Sequence, residues 1–238
     1  MQRCALLLFL TAILAAQSAP EFEITAEPHH HLAFANDQVH VFTVDVPPHS
    51  ETLLHWHRHD YIYVTLGNSE VVNAVPGKDP VTLKLQDGQA GFLPGPFAHI
   101  FRNLSAQPFH NVTVELLEDN KLRHSPVHWD PAHPEDDRGL EILQAGTKEI
   151  LFVKDGVRVS EFELQPGGVV PMRHHADPHL LVAVTDLDLR ESHLNDVHPP
   201  PDLGHCMAGQ VDWFPGDYSS SLTNVAKTPA KFVTLEFH

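Results

Sequence analysis

"GQAGFLPGPFAHIFRN", residues 88–103, returns 121 positions later as "GQVDWFPGDYSSSLTN", residues 209–224. Both stretches read Gly-Gln-x4-Pro-Gly, and both end on an Asn at the same distance. A period this long marks a duplicated domain, because solenoid units repeat every ~20–50 residues. Other segments echo each other across the same gap. "GVRVSEFELQPGG" (156–168) follows "DQVHVFTVDVPPHS" (37–50), and "AKFVTLEF" (230–237) follows "FHNVTVELL" (109–117). "HLLVAVT" (179–185) aligns with "HDYIYVT" (59–65), which pairs His179 with His59. The stretch "NKLRHSPVHWDPAHPEDDRGL" (120–140) is Pro-rich, charged and without period, and reads as a linker or a strap. Two units are expected, 19–119 and 141–238.

The local pattern is β throughout. "VHVFTVDV" (39–46), "YIYVTL" (61–66), "VTLKL" (81–85) and "NVTVELL" (111–117) are rich in β-branched and aromatic residues, with Gly, Pro and Asn turns between them. No stretch carries a convincing helical period, so an all-β sandwich or barrel is expected. The chain has 238 residues, 42% of them hydrophobic, and a formal charge of −16. Such a surface repels phosphate backbones, which argues against nucleic acid as a partner. "MQR" followed by the apolar run 4–16 and "AQSAP" predicts a cleaved export signal over 1–18, too short for a membrane anchor. The mature protein is then expected in the periplasm or outside the cell, with no membrane contact. Removal of that segment takes Cys4 and leaves Cys206 without a disulfide partner, most simply a small buried residue.

These residues resemble the cupins, small jelly-roll β-barrels. Gly88, Pro94, His99 and Asn103 fit the spacing of the second cupin motif, with Pro96 where Gly is usual. His55 and His57 fit the paired histidines of the first motif, and Gly67 its closing glycine; the motif's Glu is not in place. Because the likeness spans most of the chain twice, the expected fold is two tandem jelly-roll (cupin) β-barrels. The resemblance implies one divalent transition-metal ion (Fe, Mn, Ni, Cu or Zn) on His55, His57 and His99.

Strand geometry supports part of that set. Alternate residues share a face, so His55 and His57 lie ~6.6 Å apart at about 3.3 Å per residue and both can point inward. His59 lies ~13 Å from His55 on a straight strand, and joins them only if the chain bends near Arg58. The fourth ligand is thus open between His59, Asp60 and Tyr61. Tyr61 and Tyr63 alternate with Ile62, so one of those two sets lines the barrel. In the second half Arg173 stands where His55 stands and Ser220 where His99 stands, which predicts a degenerate metal site.

The remaining histidines have simpler readings. "PHHHL" (28–32) is expected to be solvated or to pack domains, because neighbouring residues of an extended chain point opposite ways. His124, His128 and His133 fall in the linker. Ser219, Ser220 and Ser221 lack a Gly-x-Ser-x-Gly context and read as barrel or loop serines. Trp56, Trp129 and Trp213 read as core or edge packing. Asn103 and Asn111 begin glycosylation sequons that chance alone can produce.

Two functions follow. One is a metal-dependent dioxygenase or isomerase acting on a small molecule, with Asp60 or Tyr61 near the chemistry. The other is a non-enzymatic cupin that binds a small molecule or sugar, with structural metal or none. Self-association through barrel edges would suit either. Because imidazole must be neutral to bind a metal, occupancy is expected to fall below pH ~6.5.

Overall fold

The computed structural model describes residues 20–117, 139–194 and 203–238. The expected export signal, nearly all of the expected linker, Trp129 and the three linker histidines lie outside them. The first half contributes β1 (Phe22–Glu23), β2 (His30–Ala35), β3 (Val39–Val46), β4 (His55–His57), β5 (Asp60–Leu66), β6 (Ser69–Ala74), β7 (Val81–Leu85), β8 (Ala90–Leu93), β9 (Phe97–Asn103) and β10 (Phe109–Leu116). The second contributes β11 (Gly139–Lys154), β12 (Val157–His175), β13 (His179–Ala183), β14 (Leu187–His193), β15 (Gly204–Cys206), β16 (Val211–Phe214), β17 (Tyr218–Asn224) and β18 (Ala230–Phe237). One 3-10 turn, Ile24–Ala26, is the only helical element among the described residues.

Each half is a jelly-roll barrel. The first closes from two five-stranded sheets, β1-β4-β9-β6-β7 and β2-β3-β10-β5-β8. In the second, β12 runs unbroken through both layers and joins them into one sheet, β15-β14-β17-β12-β18-β13-β16, with β11 also on β12. The first half breaks the same path into β3 and β4 at "PPHS", where His49 takes a positive φ of 54°.

Strand registers align the halves residue by residue. β2 meets β3 with His30 opposite Val44 and a bulge between Leu32 and Phe34. β11 meets β12 with Lys148 opposite Phe162 and a bulge between Ile150 and Phe152. Tyr61 lies opposite Glu115, as His179 lies opposite Glu236. The pairing of His59 with His179 is therefore corrected: His179 corresponds to Tyr61. Residues 55–61 match 173–179 with no insertion. An alternating strand looks alike after a slip of two residues, so its pattern could not detect the error.

The same alternation sorts the side chains. Ile62, Val64, Val112 and Val114 point out of the first barrel and share one core with Leu180, Val182, Val233 and Leu235 of the second. Phe34 stacks on Trp213 across this contact, ring centres 5.6 Å apart. The barrels thus pack back to back, and Tyr61, Tyr63, Asn111 and Thr113 are left lining the first barrel's cavity.

The shared Asn of the repeat is a structural clamp. Asn103 is fully buried and its amide donates to the carbonyls of Val46, Pro47 and Gln107 at 2.8–3.2 Å. Asn224 donates likewise to Leu164 and Thr228, both at 2.9 Å. The buried Asn103 amide does not present its sequon to solvent in the folded chain, whereas Asn111 is half-buried. Asn103→Ala leaves buried carbonyls without a donor and should cost at least ~2 kcal/mol. The measurement is the shift in denaturant midpoint, and Asn224→Ala should show a loss of the same order.

Candidate metal centre

β4 and β9 run antiparallel with His55 directly opposite His99, so both imidazoles enter the barrel from facing strands. His57, two residues on, enters from the same face of β4. The three converge: Nε2 of His99 lies 3.1 Å from Nε2 of His55 and 3.2 Å from Nε2 of His57. All three side chains are buried.

The far side of each ring decides which nitrogen carries the proton. Nδ1–H of His55 donates to the Leu53 carbonyl at 2.9 Å, an atom that can only accept. Nδ1–H of His99 donates to Oδ1 of Asn73 at 2.7 Å. Nδ1 of His57 faces the Glu115 carboxyl at 3.4 Å. The Nε2 atoms of His55 and His99 are therefore bare lone pairs turned toward each other. In a buried space that arrangement is repulsive unless a cation sits among them. A neutral, all-nitrogen donor set of this kind fits a divalent transition-metal ion.

A further histidine joins the group. His30, at the start of β2, is buried, and ligating atoms of His30, His55 and His57 lie within 4.8 Å of one another. Its ring centre is 4.6 Å from that of His55. The expectation that "PHHHL" is solvated or packs domains fits His31, which is exposed, and fails for His30, which is buried inside the first barrel. Adjacent residues do point opposite ways, and that alternation is what sends one of the three inward. The usable signal in the sequence is Glu27, three residues earlier. Its carboxylate accepts from Nδ1 of His30 and from the backbone N–H of His29 and of Leu53. Burial pushes the Glu27 carboxyl up, but these bonds outweigh it and hold the group below the usual carboxylate range.

The three rivals for the fourth position separate. The chain does bend at His59, between β4 and β5, yet His59 is not in the converging group. Its carbonyl packs against Gly95 so closely that a Cβ there would lie 2.4 Å away. Asp60 turns to the same loop, its Oδ1 accepting the Gly95 N–H at 2.8 Å, and does not line the cavity. Of the three, Tyr61 faces inward. Its ring stacks on His57, centres 4.2 Å apart, and it holds the place that His179 holds in the second barrel.

Burial lowers His55 to about 4 and holds His57 and His99 well below the ordinary histidine value, with repulsion from neighbouring histidines, His30 among them, adding to it. Burial raises the Tyr61 phenol, so it stays protonated, and pushes the Glu115 carboxyl up to about 7. Beside the cluster lies a small cavity of about 50 Å³. Leu83, Leu85, Leu93, Phe101 and Phe109 form most of its wall, with Asn73, Asn111 and Thr113 as polar points, and no Asp, Glu, Lys or Arg lines it.

The second barrel has the same frame and different chemistry. By register, Lys148 replaces His30, Arg173 replaces His55 and Ser220 replaces His99. Arg173 pairs with Glu236 at 3.3 Å, the residue equivalent to Glu115. Arg173 thus lines the interior where His55 stands in the first barrel, and no group of three ligating residues converges there among the described residues. Cys206, the free thiol of the described residues, is buried and pushed up to about 12 by burial and by Asp212, as an inert packing residue should be.

These shifts set a pH dependence for the metal-free protein. A histidine at about 4 when folded and 6.5 when unfolded contributes stability that is complete above 6.5 and lost as pH falls toward 4. His57, His99, His175 and His179 act in the same direction, while the raised carboxyls of Glu115 and Glu161 act in the opposite one. Each pH unit in that window costs about 1.4 kcal/mol per such histidine. The melting temperature should drop steeply between pH 6.5 and 4, and a flat profile would contradict the burial described here.

No protein-family model matches the chain, and no curated protein is similar to it in sequence. Solved structures are similar in shape. AerE from Microcystis aeruginosa aligns over 90% of this chain and 95% of its own, with a TM-score of 0.61 at 12% identity. The oxalate decarboxylase of Lactobacillus farciminis, solved as a formate complex, aligns over 85% and 78%, with a TM-score of 0.61 at 15% identity. The oxalate decarboxylase of Bacillus subtilis, solved at pH 4.6, aligns over 84% and 68%, with a TM-score of 0.60 at 13% identity. Likeness at such identities speaks for the fold alone, and with the registers above it defines that fold: two cupin jelly-roll barrels in tandem.

Proposed function

We propose that the first barrel holds one divalent transition-metal ion on His55, His57 and His99, and that the protein is a metal-dependent oxidoreductase of the dioxygenase kind. The observation that carries this reading is the 3.1 Å approach of two bare Nε2 lone pairs, His55 and His99, inside a buried cavity. Such an ion supplies Lewis acidity and, when redox-active, one-electron chemistry. The isomerase alternative needs a proton-moving base at the substrate. No carboxylate lines the cavity, and Asp60 is committed to the Gly95 turn.

The rest of the cavity describes the substrate. Its wall is apolar and aromatic with a few amide and hydroxyl groups, which suits a neutral small molecule with an apolar body and one oxygen-bearing end. Tyr61, protonated and facing inward, donates to that end. Asn73 holds the His99 tautomer, and the leucine and phenylalanine wall excludes water. A polyhydroxylated sugar finds too few partners here. Export by way of residues 1–18 belongs to the same proposal, and would show as a mature N-terminus near Ala19.

Metal content of the full chain, purified without a metal-affinity column, is the test. One ion per chain is expected, not two, and His99→Ala should bring it near zero. Oxygen uptake with a panel of phenols and enols should then depend on the loaded metal and vanish in His99→Ala. Ligand binding without oxygen uptake across the panel would favour the non-enzymatic binding module. A parent protein without metal would remove the proposal.

A further inference from the structure

We infer that His30 is the fourth ligand of this centre, supplied from β2 outside both cupin motifs, and that the resulting four-imidazole set selects Zn(II) or Cu(II) over Mn(II). The inference rests on the metal reading above and names the ligand and the metal class. The motif position that would carry a carboxylate holds Tyr61, whose ring is stacked against His57. His30 instead places a ligating nitrogen within 4.8 Å of those of His55 and His57.

The ring is held for that purpose. Glu27 is 1% exposed, and it engages Nδ1 of His30, so Nε2 is the nitrogen left for the cluster. One carboxylate also accepts the Leu53 N–H, while the Leu53 carbonyl fixes His55. The two rings are therefore positioned through one residue, as outer contacts commonly position metal ligands. A separate line of support comes from the second barrel. Register puts Lys148 at the His30 position, and the His55 and His99 positions have changed with it. The three positions are histidine together in one barrel and non-histidine together in the other.

Two consequences follow. Four imidazoles bring no negative charge to the ion in its inner shell, which favours an oxygen of the substrate as a further donor. They also discriminate among metals, because imidazole suits Zn, Cu, Ni and Fe, whereas carboxylate and water ligands suit Mn and Mg.

The experiment titrates Zn(II) and Mn(II) separately into chelator-treated full-length protein by calorimetry, for the parent and for His30→Ala, Glu27→Gln and Tyr61→Phe. The parent should bind Zn(II) at least ~100-fold more tightly than Mn(II). His30→Ala should weaken Zn(II) at least ~10-fold, Glu27→Gln about 10-fold, and Tyr61→Phe less than ~3-fold. The Cu(II)-loaded parent gives a readout that needs no variant: its electron paramagnetic resonance should carry coupling to four equatorial or near-equatorial nitrogens. Three nitrogens, or Tyr61→Phe losing affinity while His30→Ala keeps it, would overturn the inference and leave the three-histidine centre standing. A parent that binds none of these ions would remove both.

Discussion

Four imidazoles are turned inward in one buried space, and for three of them an acceptor behind the ring engages Nδ1. The Leu53 carbonyl, Asn73, Glu115 and Glu27 face the Nδ1 atoms of His55, His99, His57 and His30. Without those partners the rings would rotate or exchange tautomers, and the Nε2 atoms would hydrogen-bond one another. With them, lone pairs meet at van der Waals contact in a site where burial already disfavours the protonated form. The proposed preference for a cation follows from that single constraint.

The duplicated barrel shows what happens when the constraint is released. The frame persists: the same bulge in β11, the same buried Asn clamp, the same apolar face shared with the first barrel. Within it the charge logic is inverted. Arg173 and Lys148 bring positive charge in the chain itself, and Glu236 neutralises part of it. The second barrel contributes its outer face to the common core, while its interior carries different side chains from the first.

How far the site is legible ahead of the structure differs by residue. His55, His57 and His99 are legible because strand alternation and motif spacing both constrain them. Tyr61 is one of three rivals in the sequence, and the choice turns on a two-residue slip in aligning the repeat. Glu115 and Asn73 are invisible as site residues: nothing in "NVTVELL" distinguishes an inward Glu behind a histidine from an outward one in water. His30 reads as a surface residue, because its neighbours His29 and His31 make the run look like a solvated tract.

The sequence by itself determined the β class, the duplication, the three motif histidines and the different residues at their places in the second half, since each is written in local periodicity or in spacing along the chain. Tertiary structure alone decided the fourth inward histidine, the partners behind His55, His99 and His30, and the pairing of His179 with Tyr61. Those depend on which strands become neighbours and in which register. Contacts between residues as distant as Asn73 and His99, or Glu27 and Leu53, exist only once the barrel has closed.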